Sequence, residues 1–536
     1  MNGYLIFILA LLIFNWLLDL IVETLNVRNV STEIPAEFQG IYDAEKYAKS
    51  QRYLRENTRF GQLKAAIMLP LTIAFILLGG FSWINSIAQT ASGNMIVQGL
   101  VFGGILVLLG QLVGIPFSIY DTFVIEERYG FNKTTPKTFV IDILKGLMLT
   151  VLLGAPVFAL ILWIFSAVAN AWLWAWGALA VIQLFIMFIA PVVILPLFNK
   201  FTPLEDSELR TKIEEFAAAQ KYKLSGIFKI DGSKRSTKSN AYFTGFGKTK
   251  RIALFDTLIE KHTTGELVGV LAHEIGHCKL GHIKKGIGIS LASSLLMFFI
   301  LSLFITKQGL YAAFGIEGMP LYAGFIFFGF LYAPISMILG LLGNILSRKH
   351  EYEADAFAAE TTKQPSDLID ALKKLSVDNL SNLTPHWLKV FLEYSHPPVL
   401  ERIKALRGFM YSHAESNDSQ KKYGGIGRGI YFFGLLITYV IVHITTASPT
   451  TFRLASVLAL LSTFLLTVFR LKNLGMSLWR TLLIFIPIAN LLVVIPCFLA
   501  QEGYEKNKRL DLTGKLISGS ILILIALVII LALAGF

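Results

Sequence analysis

The sequence predicts an all-α polytopic membrane protein with a polar cap on one side of the bilayer. Three observations predict it: composition, repeated apolar runs about 20 residues long, and basic residues confined to alternate connections. Of 536 residues, 54% are hydrophobic and 16% charged, against roughly 25% charged in a soluble domain. This excludes disordered, collagen-like and ordinary soluble chains. Two cysteines, Cys278 and Cys497, exclude a disulfide-built scaffold. Apolar runs fall near 3–25, 65–88, 96–118, 139–166, 171–198, 286–306 and 319–346. Further runs near 429–447, 452–469, 481–500 and 516–535 add three or four C-terminal membrane helices. The first run reads as a span and not a cleaved leader, because it lacks a basic flank and a small-residue cleavage site.

Lysine and arginine then orient the spans. Segment 26–64 holds 7, 119–137 holds 3, 200–285 holds 16 and 347–428 holds 12, whereas 89–95 and 167–170 hold none. With seven spans all four basic segments share one side, which is cytoplasmic, and the N-terminus lies outside. The net charge of +12 therefore belongs to membrane topology, and no nucleic-acid partner is expected. The basic stretch 501–515 breaks the pattern unless Pro487 and Pro496 make 481–500 a broken or re-entrant helix. The glycine-rich basic stretch 420–428 marks a boundary between residues 1–425 and a C-terminal membrane module at 426–536.

All nine histidines lie between His262 and His443. Segment 271–285 reads LAHEIGHCKLGHIKK, so His273, Glu274 and His277 form H-E-x-x-H. On a helix, positions i and i+4 share a face, which lets both imidazoles reach one zinc ion while Glu274 acts as general base. Thr263 and Glu266 offer an N-terminal cap for that helix. A catalytic zinc site needs a third protein ligand. Glu351, in SRKHEYEADAFA at 347–358, could supply a His₂Glu set, with Asp355 one turn on as hydrogen-bond acceptor for a ligand histidine. Alone, this acidic face would read as solvated surface; the H-E-x-x-H motif reverses that preference. Glu353 competes as a ligand but faces away from Asp355, while His282 and His350 read as bystanders. Residues 239–256 read as a hairpin, with strands Asn240–Thr244 and Arg251–Asp256 joined by a turn at Gly245–Thr249. Its edge could bind an extended peptide through Asn240, Ala241 and Tyr242. In the first span Asn15, Asp19 and Glu23 recur every four residues, which suits a cavity wall or the approach to the interface.

Four segments together resemble the type I CAAX prenyl protease family: 239–259, 273–285, 347–358 and YSHPPVLERI at 394–403. The resemblance covers roughly residues 1–410 and implies a ring of seven helices around a water-filled chamber, capped on the cytosolic side by a gluzincin-like zinc site with a small β-hairpin. It implies His273, His277 and Glu351 as zinc ligands, one zinc per chain, Glu274 as base, and an acid or ligand-orienting role for Asp355. It also implies that His396 stabilises the tetrahedral intermediate and that Arg402 lies near the site. The substrate it implies is a prenylated protein or other membrane-tethered peptide. By contrast, FRLKNLGMSLWRTLLIFIP at 469–487 faintly resembles a bacterial inner-membrane family, which favours that membrane over the endoplasmic reticulum. Arg470, Lys472, Trp479 and Arg480 there suit an interfacial anchor. The competing functions are a membrane quality-control zinc peptidase, an intramembrane-cleaving zinc protease, and a transporter or inactive binding protein that keeps a chamber without chemistry.

Overall fold

The computed structural model describes residues 2–244, 251–415, 425–444, 449–478, 480–481, 491–500 and 504. It separates into two compact units, 1–415 and 416–536.

In the first unit, seven helical segments are long and apolar enough to cross a membrane. They are α1 (Gly3–Arg28), α2 (Ala44–Leu77), α4 (Met95–Tyr120) with a π-helical turn at Asp121–Glu126, and α5 (Pro136–Leu149) continuing through Thr150–Gly154 into α6 (Ala155–Ala167). Next come α7 (Ala171–Ile189), which continues through Ala190–Ile194 into α8 (Leu195–Phe198), then α12 (His282–Phe304) and α14 (Leu321–Thr362). The second span differs from expectation: α2 starts some 20 residues earlier and ends at a turn, after which α3 (Gly80–Ala91) is separate. Its polar N-terminal half shows no long apolar run, so hydropathy alone missed the extension.

Contacts run α1–α2, α2 to the Asp121–Glu126 turn, α4–α6, α6–α7, α7–α12, α12–α14 and α14–α1, which closes a ring. Between none and 17% of each span's apolar stretch is buried within the protein, which leaves most of their apolar surface for lipid or for the ring's interior. The ring tightens where α4, α6 and α14 cross: a Cβ on Gly99 would sit 2.5 Å from Leu162 and 2.9 Å from Tyr322. That crossing lies near the start of α14, about 43 Å by helical rise from Glu351 at its other end.

The polar cap holds a four-stranded sheet in the order β1 (Phe201–Pro203), β2 (Gly226–Ile230), β4 (Arg251–Phe255), β3 (Ala241–Thr244). β3 and β4 are the expected hairpin, antiparallel with Ala241 opposite Leu254; its turn lies outside the described residues. β1 and β2 were not foreseen. β2 runs parallel to β4, a pairing between distant segments that local pattern does not show. The cap also contains α9 (Glu208–Ala219), α10 (Asp256–Lys261), α11 (Thr264–Lys279), α15 (Pro365–Asp378), α16 (Trp387–Glu393) and α17 (Val399–Glu415), while α13 (Gln308–Ala312) precedes the last span. Leu254, Leu258, Leu267, Leu271 and Ile275 form one apolar cluster under the sheet.

The second unit contains α18 (Arg428–Ile444), α19 (Pro449–Leu474) and α20 (Leu491–Leu499). Tyr431, Leu471, Leu474, Val493 and Cys497 form its core. Arg470 corrects an expectation. It is 1% exposed and donates to the Cys497 carbonyl at 2.9 Å, at the C-terminal end of α20. A helix's last carbonyls lack intrahelical donors and carry partial negative charge, so the guanidinium is drawn inward and is no interfacial anchor. Trp479 and the final apolar run, 516–535, lie outside the described residues.

Candidate metal centre

The site is built where α11 meets α14. Helix α11 starts from a reciprocal cap: the Glu266 amide donates to Thr263 Oγ1 at 3.3 Å, and the Thr263 amide donates to Glu266 Oε2 at 3.0 Å. Satisfying these first amides sets the helix phase, and places His273 and His277 on one face. Gly276 lies between them: a Cβ there would sit 3.3 Å from the Ala354 Cα and carbonyl oxygen. Its absence lets α14 press against α11. Helix α14 leaves the bilayer unbroken, so a single 42-residue helix carries both a span and the acidic residues.

The result is a convergence of three donors. The Nε2 atoms of His273 and His277 lie 3.1 Å apart, and Glu351 places Oε2 3.4 Å from the first and Oε1 3.2 Å from the second. Ligand atoms of these three side chains all lie within 4.8 Å of one another. Glu351 is 4% exposed, and its Oε2 is buried without a properly aligned hydrogen bond. A buried carboxylate oxygen without a hydrogen bond is costly; a carboxylate with one imidazole nitrogen beside each oxygen fits a cation held by His₂Glu. The charge environment agrees. Burial pushes the His273 imidazole down, but hydrogen bonding to Asp355 and Glu351 outweighs it and holds it at about 9. Positive charge is favoured at this point.

Asp355 and Arg402 stand behind the donors. Asp355 is 2% exposed; its Oδ1 lies 2.8 Å from His273 Nδ1. Arg402, from α17, grips the same carboxylate with Nε at 2.8 Å and Nη2 at 2.6 Å, and its Nη1 lies 3.5 Å from Glu351 Oε2. Of the two roles expected for Asp355, an acid or the acceptor that orients a ligand histidine, this geometry favours the second, while Arg402 was expected near the site as a substrate contact. The structure commits both Asp355 oxygens to protein donors, and it buries Arg402 against carboxylates and away from a substrate-contact role. His396 is different. Its side chain is 64% exposed, yet Nε2 lies 3.5 Å from Glu351 Oε1. The Arg348 guanidinium, on α14, donates to the Val390 carbonyl at 3.0 Å and also to the Tyr394 carbonyl, pinning the segment that leads into His396.

Glu274 faces a cavity of about 470 Å³ lined also by Ala241, His277, His282, Ser347 and His350. Among the described residues its carboxylate makes no hydrogen bond or ion pair. Among the described residues β3 is an edge strand of the sheet. The Phe255 amide donates to the Asn240 carbonyl at 3.1 Å, so, by the alternation of antiparallel pairs, Ala241 and Phe243 turn backbone groups outward. Asn240 is exposed and folds its Oδ1 onto the Ala241 amide at 2.8 Å; the Tyr242 side chain lies outside the described residues. In the first span, Glu23 meets Lys389 of α16 at 2.5 Å, and Asn15 lines a cavity against Ile326 and Phe330 of α14.

Sequence reasoning set aside His282, and Glu353 as well once Glu351 was preferred. His282 Nδ1 in fact lies 3.0 Å from His277 Nδ1, and His282 Nε2 lies 2.9 Å from Glu353 Oε2. The missed signal is Gly281, whose φ of +72° ends α11 and folds the next helix back.

Comparison with known proteins gives the lineage. Residues 23–200 match the CAAX prenyl protease N-terminal model of five membrane helices, and residues 203–410 match peptidase family M48. The chain is similar to probable CAAX prenyl protease 1 of Schizosaccharomyces pombe, 39% identical over 391 residues, covering 69% of this chain and 81% of that protein. It is also similar to the CAAX prenyl protease 1 homolog of Mus musculus, 36% identical over 451 residues, covering 74% and 94%. The crystal structure of S. mikatae Ste24p superposes with a TM-score of 0.72 at 34% identity, covering 75% of this chain and 99% of that one. The chain therefore belongs to peptidase family M48, in its CAAX prenyl protease group, and is a multi-pass membrane metalloendopeptidase.

Proposed function

We propose that the protein is a zinc endopeptidase that cuts near the C-terminus of prenylated, CAAX-type substrates, with His273, His277 and Glu351 holding one zinc per chain. The observation that carries it is the convergence of two imidazole nitrogens, 3.1 Å apart, on the buried Glu351 carboxylate, one beside each oxygen. When bound, zinc supplies the Lewis acidity that activates water and polarises a peptide carbonyl.

The chain's own residues do the rest. A substrate strand adds to the outward edge of β3 at Ala241 and Phe243, which lays the scissile peptide beside Glu274. Glu274, whose carboxylate bonds to none of the described residues, takes the proton from the attacking water and returns it to the leaving amine. His396, exposed at its turn beside Glu351, donates to the developing oxyanion. Asp355 orients His273, and Arg402 offsets the carboxylate charge, so both are positioning groups. α11 lies outside the seven spans, which favours cleavage at the cytoplasmic cap over cleavage within the bilayer; the sidedness follows the basic segments. Prenylated substrates are the reading favoured by the relatives' names. Those relatives are eukaryotic and lend no support to a bacterial inner membrane. Residues 426–536, beyond both family models, form an accessory membrane module.

The test uses two matched peptides, one farnesylated at a CAAX cysteine and one unmodified, with and without chelator in detergent. Chelator-sensitive cleavage of the prenylated peptide alone is expected. Equal cleavage of both would refute the substrate class and indicate a quality-control peptidase; no cleavage by a zinc-loaded chain would refute the catalytic reading in favour of an inactive chamber.

A further inference from the structure

We propose that His282 is a positioning residue of the metal centre, holding His277 through a histidine–histidine–carboxylate relay that ends on Glu353; this rests on the zinc-site reading above. The two ligand histidines have different supports. His273 is held directly by the Asp355 carboxylate at 2.8 Å. His277 has no carboxylate at Nδ1; what stands there is His282 Nδ1, at 3.0 Å.

The direction of that hydrogen bond is set by its far end. His282 Nε2 lies 2.9 Å from Glu353 Oε2. A carboxylate only accepts, so Nε2 carries the proton and, in the neutral ring, Nδ1 is bare. His277 must then donate from its own Nδ1, which leaves its Nε2 lone pair facing His273 and Glu351. The relay thus selects the tautomer of His277 that can bind a cation and fixes its ring plane. Such outer partners are worth roughly 10–100-fold in metal affinity. The relay exists because of the backbone. On a continuous helix a residue five positions after His277 would point away, but the left-handed turn at Gly281 starts α12 at His282 and returns that ring to the ligand.

His282 is buried, with its ring stacked on His350 at 4.0 Å and 10°. Ligand atoms of His282, His350 and Glu353 lie within 4.8 Å of one another, which suggests a second metal site. The stacking argues against it. In-plane lone pairs of stacked rings lie in nearly parallel planes set apart by the stack, at 4.0 Å between centroids and 10°, and do not converge on one ion. His350 is the lid that holds the His282 plane.

The experiment measures zinc stoichiometry and affinity by chelator competition on the full chain in detergent, with the visible spectrum of the cobalt-substituted protein as a second readout. One zinc per native chain is expected. His282→Leu should weaken zinc binding roughly 10–100-fold and alter the cobalt spectrum. His282→Gln, whose amide can accept from His277 and donate to Glu353, should recover most of the affinity and the native spectrum; this rescue separates positioning from general loss of fold. Native affinity and spectrum in His282→Leu would overturn the relay. So would two zinc ions per native chain, with one lost in His350→Leu. A native chain that binds no zinc would refute the metal-centre reading itself, and the relay with it.

Discussion

Arg402→Met tests how the centre carries its buried charge. Arg402 makes two charge-assisted hydrogen bonds to Asp355, at 2.8 and 2.6 Å, and Asp355 is 2% exposed. Methionine keeps much of the aliphatic volume and removes the guanidinium. Asp355 then keeps only the His273 proton, with a second carboxylate, Glu351, close by. Removing one partner of a buried pair costs about 3–5 kcal/mol, roughly two to four powers of ten in the folding equilibrium. Replacing the pair with apolar groups is often near neutral, so adding Asp355→Leu should return stability to within about 1–2 kcal/mol of native. Zinc affinity should not return with it, because His273 Nδ1 has lost its acceptor, a loss worth roughly 10–100-fold. Denaturant unfolding in detergent and chelator competition read the two effects separately. A single variant within about 1 kcal/mol of native, or a double variant no more stable than the single, would refute this account of the pair.

Other expectations follow from the same geometry. Glu274→Gln removes a carboxylate that bonds to no described residue, so zinc content and stability should hold while turnover falls about 10²–10⁴-fold, read by metal analysis and peptide cleavage on one preparation. Gly281→Ala meets open space around its Cβ, so its cost is left-handed strain alone, roughly 1–2 kcal/mol, and by displacing His282 it should loosen zinc in the same chelator competition. A chain ending at residue 424 should retain zinc and cleave peptide, since the matched families end at residue 410; loss of both would show that the C-terminal module is required.

Much of the centre was legible in the sequence because its signals are local. Helical spacing put His273 beside His277, and a nearly 20-residue apolar run needs no tertiary information to read as a span. Failures came where distant or backbone effects decide. The polar start of α2 has no apolar signature. β1 and β2 are short, and β2 finds its parallel partner only through β4. Arg470 looked interfacial from its neighbours in sequence, but its donors meet carbonyls 27 and 30 residues away. His282 looked out of phase because a continuous helix was assumed through Gly281.

What sequence by itself determined, then, is the number of apolar spans, the uneven placement of basic charge and the ligand chemistry of the H-E-x-x-H segment, because each depends on residues within about 20 positions of one another. Tertiary structure decided that Glu351, favoured by its spacing, does reach those histidines with Asp355 behind His273, and that His282 serves His277. Those outcomes depend on how closely α14 approaches α11 over Gly276 and on the direction in which α12 leaves Gly281. Such distances and angles between elements are set by packing, and a one-dimensional pattern does not contain them.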